Sequence, residues 1–153
     1  WLPHLASGAL ADWRLDVGGP RLRRMAIRRG IKIYFDGGCR PLPTGMEICT
    51  VLAGAASMHR QLGKGSAMEA EWRALIFAAE RALESGIQQP IFVGDALAVI
   101  RQASGQARIP AAMARYAENW RALAPQLGPF SLRHVKRQQN LAGIALARLH
   151  PRG

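Results

Sequence analysis

Short apolar runs and helical stripes of hydrophobic residues divide the chain into strands and helices from residue 31 onward. Ile31–Phe35 is an apolar run, and two more runs with the composition of strands follow at Met46–Gly54 and Ala55–Gly63. Runs of this length bounded by glycine and proline are typical of β-strands. Because short connections join the three runs, the pattern predicts an antiparallel meander.

A stripe of apolar residues spaced three or four apart predicts a long helix from Met68 to Ser85, which Gly86 ends. Ile91–Asp95 then begins with a continuous apolar run that is typical of a fully buried strand. The rest of the pattern predicts a short helix at Ala96–Ala103, a helix opened by Pro110, a strand at Phe130–Val135 and a last helix at Leu141–Leu149.

The predicted order of elements is therefore βββ-α-β-α-α-β-α. A meander followed by β-α crossovers builds one mixed sheet, because a crossover returns the chain parallel to the previous strand. We expect an α/β fold with a five-stranded sheet, in which an antiparallel meander and two parallel strands carry helices on both faces.

Residues 1–30 differ in composition from the rest of the chain. They hold six arginines and two aspartates, and Gly18, Gly19 and Pro20 interrupt them. We predict a basic N-terminal extension at residues 1–30 and one domain at residues 31–153. The extension is expected to pack on the domain or on a second copy of the chain, giving a monomer or a weak dimer.

The charge of the chain indicates a polyanionic partner. The 153 residues carry a net charge of +11, for which nucleic acid is the usual partner. A GC-rich genome is an alternative explanation, because eighteen of the basic residues are arginine and three are lysine.

No apolar run approaches the roughly 20 residues of a membrane span. The two cysteines, Cys39 and Cys49, predict a reducing compartment, the cytoplasm, and buried apolar positions rather than a disulfide.

Two aspartates occupy equivalent places in the predicted sheet. Asp36 ends the first strand and Asp95 ends the fourth, and they are the only aspartates after residue 30. Ligands of open α/β sheets bind at the carboxyl ends of strands. Two carboxylates there repel each other unless a proton or a cation lies between them, and a hard divalent cation prefers oxygen ligands. The alternative is structural, with Asp95 capping the next helix.

A third carboxylate is expected from the long predicted helix. Glu69 and Glu71 both lie at borders of its apolar stripe, whereas Glu80 and Glu84 lie outside the stripe. Periodicity does not choose between Glu69 and Glu71.

Four segments in order resemble the type 1 ribonuclease H family. They are FDGGCR after the first strand, EAEWRAL in the long helix, VGDALAVI after the fourth strand and HVKRQQNLAGIALARL at the end. The resemblance spans Ile31–Leu149. Each segment is a weak signal alone, and their order and spacing make the set specific.

The resemblance implies a ribonuclease H-like fold and a two-metal endonuclease that hydrolyses the RNA strand of RNA–DNA hybrids, leaving a 5′-phosphate. It assigns metal binding to Asp36, Glu71 and Asp95, with two Mg²⁺ or Mn²⁺ ions. The departure at Ile144, described below, predicts that one of the two ions is held weakly. It assigns His134 to proton transfer or product release, with an inward-facing core histidine as the alternative. Predicted substrate contacts are Gly37, Gly38, Cys39, Arg40, Lys136, Arg137 and Asn140.

The chain departs from the family pattern at the fourth carboxylate. Ile144 stands where the family has an aspartate, ten residues after the histidine, and an isoleucine binds no metal. Asn140, one turn earlier, either binds weakly through water or caps the helix. Residues that contact the hybrid in the family are replaced by Leu42, Ala67, Met68 and Ala96, which offer no side-chain donor or acceptor for those contacts.

These departures leave two further hypotheses beside a hybrid-cleaving enzyme. One is a nucleic-acid-binding module of ribonuclease H fold with weak or no catalysis. The other keeps the metal centre but acts on a different nucleic acid.

Overall fold

The computed structural model describes residues 29–151. Within them, five strands form one sheet in the order β3-β2-β1-β4-β5. The strands are β1 (Lys32–Cys39), β2 (Met46–Leu52), β3 (Ala55–His59), β4 (Ile91–Gly94) and β5 (Ser131–His134). The α-helices are α1 (Ala67–Glu84), α2 (Leu97–Ala103), α3 (Ala114–Leu123) and α4 (Leu141–Ala147).

The pairing of the strands confirms the predicted mixed sheet. β1 pairs with β2 and β2 with β3 in antiparallel fashion, whereas β4 lies parallel to both β1 and β5. The order of strands and helices along the chain is also as predicted. Within the described residues, no helix is both long enough and apolar enough to cross a lipid bilayer.

The first strand is longer than predicted, and Asp36 lies inside it. The ladder to β2 continues through Asp36 opposite Cys49 and Gly38 opposite Glu47, and it ends at Cys39 opposite Met46. The prediction that Asp36 ends the strand is therefore wrong. The two glycines continue the strand because β2 supplies backbone partners along its whole length.

Some helix boundaries also differ from the predictions. The side chain of Ser66 accepts a hydrogen bond from the Glu69 amide and caps α1, which ends one residue before the predicted Ser85. Pro110 precedes a short 3₁₀ turn at Ala111–Met113 rather than an α-helix, and α3 follows at Ala114. α2 begins at Leu97, where the preceding Ala96 has no side chain able to cap it.

The helices cover both faces of the sheet, and the hydrophobic core on one face is larger than the core on the other. The larger core packs the faces of α1 and α3 against the sheet around Phe35, Trp72 and Phe92. The smaller core places Ala142 and Leu146 of α4 against Cys49 and Val51 of β2. α4 therefore lies over β1 and β2, close to the carboxyl end of β1.

Residues 1–28 lie outside the described residues, so the predicted N-terminal extension stays a prediction. At its boundary, Arg29 forms an isolated parallel bridge with Gln88. The amide of Gly30 donates to the carbonyl oxygen of Gln89 at 3.1 Å. The chain thus enters the described domain beside the segment that precedes β4.

Candidate metal centre

Three carboxylates from three elements converge in the second half of β1, beyond its last pair with β4. Asp36 lies in β1, Glu71 in the second turn of α1 and Asp95 directly after β4. One oxygen atom from each of them lies within 4.8 Å of the other two, and all three residues are partly exposed. The structure therefore brings together the three residues to which the resemblance assigns metal binding.

Glu71 reaches the cluster because α1 packs very closely on β1. The Gly37 amide donates a hydrogen bond of 2.8 Å to Glu71 Oε1, which fixes the carboxylate beside Asp36. A Cβ atom at Gly37 would lie 2.2 Å from the Ala70 carbonyl oxygen, so only glycine permits this approach. Gly37 is buried. The close packing of α1 therefore explains the glycine at this position, and the predicted substrate contact of Gly37 stays a prediction.

Glu69 is turned away from the cluster toward α3. Its Oε2 accepts hydrogen bonds from Arg115 Nη2, at 2.8 Å, and from the Tyr116 hydroxyl. The hydrogen bond from Tyr116 is the main cause that lowers the pKa of Glu69. The structure therefore places Glu71, and not Glu69, beside the two aspartates.

The electrostatics of the cluster favour a bound cation. Burial, followed by the charge of Asp95, raises the pKa of Asp36 to about 7. Burial and the charges of Asp36 and Asp95 raise the pKa of Glu71 to about 9. Arg137 is the basic residue whose charge opposes these shifts. Crowded carboxylates are stabilised in their charged form by a cation, and three carboxylates suit a hard divalent ion. The donor set therefore fits Mg²⁺ or Mn²⁺.

Asn140 lies behind the cluster as a buried link. Its side chain has 0% exposure. Its Nδ2 donates to Asp95 Oδ2 at 3.1 Å and to the Phe35 carbonyl oxygen at 3.0 Å. Its Oδ1 accepts from the Ala142 amide at 3.1 Å and caps α4. The capping alternative is thus confirmed, whereas a substrate contact does not fit a side chain without exposed surface.

The first turn of α4 closes the cluster without adding an acid. A Cβ atom at Gly143 would lie 3.5 Å from Asp36 Oδ2 and 3.6 Å from Asp95 Oδ2. Ile144, the next residue, is partly exposed, and α4 contains no acidic residue. The helix that carries the family's fourth carboxylate thus lies against this cluster and contributes apolar residues and backbone.

His134 lies near the cluster but is not part of it. It is the last residue of β5, pairs with Gly94 of β4 and is exposed. The alternative of an inward-facing core histidine is wrong, because the side chain is not buried. Asp95 follows Gly94 directly, so His134 occupies the neighbouring strand end, and its part in catalysis stays a prediction.

The remaining predicted substrate contacts lie at the surface of the protein. Arg40, Lys136 and Arg137 are exposed, and a Cβ atom at Gly38 would meet nothing within 4 Å. Cys49 is buried as expected, but Cys39 is exposed and its Sγ lies 3.2 Å from the Gly65 carbonyl oxygen. The expectation that Cys39 is buried is wrong, because β1 ends there and leaves it at the surface.

Sequence reasoning missed two features of the centre. The link from Asn140 to Asp95 and the close approach of Gly143 both depend on where α4 lies on the sheet. The only signal in the sequence is the asparagine in front of an apolar helix, which indicates a cap and not its second partner.

Comparison with known protein families identifies the family of the chain. The sequence profile described as Reverse transcriptase-like matches residues 50–150, about two thirds of the chain and a region that includes Glu71 and Asp95. The chain belongs to this family, as a type 1 ribonuclease H-like member that lacks the fourth carboxylate. Among curated proteins, none matches the chain.

Solved structures share the fold. RNase H1 from the halophilic archaeon Halobacterium salinarum NRC-1 is 27% identical, with a TM-score of 0.65, covering 77% of this chain and 93% of its own. The N-terminal RNase H domain of a Mycobacterium tuberculosis protein is 24% identical, with a TM-score of 0.65 and coverage of 76% and 95%. LC11-RNase H1, solved in complex with an RNA/DNA hybrid, is 21% identical, with a TM-score of 0.65 and coverage of 72% and 88%.

Proposed function

We propose that the protein is a divalent-metal-dependent endonuclease of ribonuclease H type that hydrolyses the RNA strand of RNA–DNA hybrids. The observation that carries the proposal is the cluster of Asp36, Glu71 and Asp95, whose oxygen atoms lie within 4.8 Å of one another. Membership of the family and the hybrid-bound structure of LC11-RNase H1 support the choice of substrate.

Asp36, Glu71 and Asp95 would hold Mg²⁺ or Mn²⁺. Bound there, two such ions would supply activation of the attacking water and stabilisation of the leaving 3′-oxygen. The rigidity of β1 and the hydrogen bond from the Gly37 amide to Glu71 keep the carboxylates in place before a cation arrives. A bound cation would favour the charged form of Asp36 and Glu71.

The surface around the centre is suited to a phosphate backbone. Arg40, Lys136 and Arg137 are exposed cations, and Gly38 leaves open space beside Asp36. Cations of this kind bind phosphates without regard to base sequence. His134, at the exposed end of β5, would assist proton transfer or product release, the role that the resemblance implies.

Cleavage assays on a panel of labelled substrates test this proposal. The panel contains an RNA–DNA hybrid, duplex RNA, duplex DNA and both single strands, each with Mg²⁺ or Mn²⁺ and with Asp36→Asn as the control. We expect metal-dependent cleavage of the RNA strand of the hybrid. Equal rates for the wild type and Asp36→Asn with both metals would refute the proposed enzymatic activity. Preferred cleavage of another substrate would show that the hybrid is not the substrate.

A nucleic-acid-binding module without catalysis is the second candidate. It is favoured by the absence of an acidic residue from α4 and by Leu42, which is 57% exposed where the family contacts the hybrid through a polar side chain. This candidate predicts salt-sensitive binding of the hybrid that chelation of divalent metal leaves unchanged. Binding that strengthens on addition of Mn²⁺ counts against it.

A further inference from the structure

We propose that Asn140 is a positioning residue of the metal centre, which fixes Asp95 relative to Asp36 by a buried amide bridge. The inference rests on the proposed metal-dependent function. It gives Asn140 a role beyond capping α4, and it gives the residue no contact with substrate.

The bridge lies where the backbone ladder between the two strands stops. β1 and β4 pair from Lys32 opposite Ile91 to Tyr34 opposite Val93, and Asp36 and Asp95 both lie beyond the last pair. The Asn140 amide donates to the carbonyl oxygen of Phe35, the residue before Asp36, and to Asp95 Oδ2. One side chain therefore joins the two strand ends where the backbone no longer pairs them.

The amide group suits this place better than a charged side chain. Both hydrogen atoms of Nδ2 are used, and Oδ1 accepts from the Ala142 amide, so the group is satisfied although it is fully buried. It orients Asp95 without neutralising the charge that a cation requires. It occupies Oδ2 and leaves the other carboxylate oxygen of Asp95 without this constraint.

The same residue sets where α4 begins. Gly143 follows Asn140 by three residues and brings the helix backbone next to Asp36 and Asp95. A shift of the helix start would therefore change both the orientation of Asp95 and the space over the carboxylates. Groups that orient metal ligands typically contribute about 10–100-fold to metal affinity or activity.

The test compares Asn140→Ser with Leu146→Ala in the full chain. Serine keeps a good helix cap but lacks the amide donors that reach Asp95 and Phe35. Leu146 is buried in the same helix and packs in the smaller core with Cys49 and Val51, so its truncation controls for destabilisation of α4. Asn140→Thr also caps the helix and fills more of the volume, and it replaces the serine variant if that protein does not fold.

The primary measurement is the Kd for Mn²⁺ by calorimetry without nucleic acid. We expect Asn140→Ser to bind Mn²⁺ about 10–100-fold more weakly and Leu146→Ala to bind it like the wild type. In hybrid cleavage, kcat of Asn140→Ser falls at low Mn²⁺ and recovers at high Mn²⁺, with KM for the hybrid unchanged.

Two results would overturn the inference, and they differ in what else they affect. If Asn140→Ser and Leu146→Ala have the same Mn²⁺ affinity, Asn140 is only a structural residue, and the proposed nuclease stands. If the wild type itself binds no Mn²⁺, the metal-dependent function fails and the positioning role fails with it.

Discussion

Two acidic sites near β1, the single residue Glu47 and the cluster of Asp36, Glu71 and Asp95, differ in whether basic side chains pair with them. Glu47 of β2 is 2% exposed, and its Oε2 lies 2.7 Å from His150 Nε2 while its Oε1 lies 3.5 Å from Arg60 Nε. Asp36, Glu71 and Asp95 lie close together, and among residues 29–151 no basic side chain forms an ion pair with them.

The difference separates a structural acid from a set of candidate ligands. A buried carboxylate with basic partners ties elements together, here β2 to the segment after α4. Carboxylates that face one another raise each other's pKa and destabilise the fold until a cation binds. We infer that the cluster of Asp36, Glu71 and Asp95 is built for a ligand and that Glu47 is built for the fold.

Asp36→Asn should have the largest effect of the substitutions that test the difference between Glu47 and the carboxylate cluster. We expect hybrid cleavage to fall by more than about 100-fold, because a metal ligand matters more than the residues that orient it. We also expect the metal-free protein to become more stable, because the repulsion within the cluster decreases. Thermal unfolding with EDTA and with Mn²⁺ checks both statements. A variant that loses stability in EDTA would show that Asp36 is not a repulsive group.

His150→Ala should act on the fold and not on the metal centre. It removes the partner of a buried carboxylate oxygen, which costs about 1–3 kcal/mol. Urea unfolding measures the loss, and the Mn²⁺ affinity should stay unchanged. Arg148→Ala, which removes an exposed cation from the same segment, is the matched control with an expected change below about 0.5 kcal/mol. Equal losses in the two variants would contradict a specific role for the Glu47–His150 contact.

The free energy of unfolding of the metal-free protein should depend on pH because of the carboxylate cluster. In the absence of metal, the folded state keeps protons on Asp36 up to a pKa of about 7 and on Glu71 up to about 9, whereas the unfolded chain releases them near pH 4. The free energy of unfolding should therefore fall as the pH rises from about 4 to about 9. We expect the fall to exceed about 1.4 kcal/mol, the energy of one pKa unit.

Unfolding experiments in EDTA at several pH values measure this slope. Asp36→Asn should flatten it below pH 7, and Mn²⁺ should reduce it by stabilising the charged carboxylates. A rise in stability across the same range would contradict the raised pKa values.

Ile144→Asp should have the smallest effect. Because the preceding residue lies against Asp36 and Asp95, a carboxylate at position 144 adds negative charge near the cluster. We expect the Mn²⁺ affinity to increase by up to about tenfold, since affinity for hard cations rises with the charge of the ligands. Ile144→Asn is the control for polarity without charge. An unchanged affinity in Ile144→Asp would show that this position does not face the cation.

Much of the fold could be predicted because the hydrophobic pattern is regular. The apolar stripe of α1 and the apolar run at β4 gave their types and approximate bounds, and the short connections gave the meander. The end of β1 could not be predicted, because glycines after an acid look like the end of a strand. The strand continues only because β2 lies beside it.

The sequence by itself determined the membership of the candidate site, since Asp36, Glu71 and Asp95 stand in recognisable segments of the chain. The tertiary structure alone decided what supports them. Gly37 is required by the close approach of α1, and Asn140 joins Asp95 to the backbone of β1. The physical reason is that ligand identity resides in single residues, whereas orientation and charge depend on contacts between residues that are 34 to 105 positions apart.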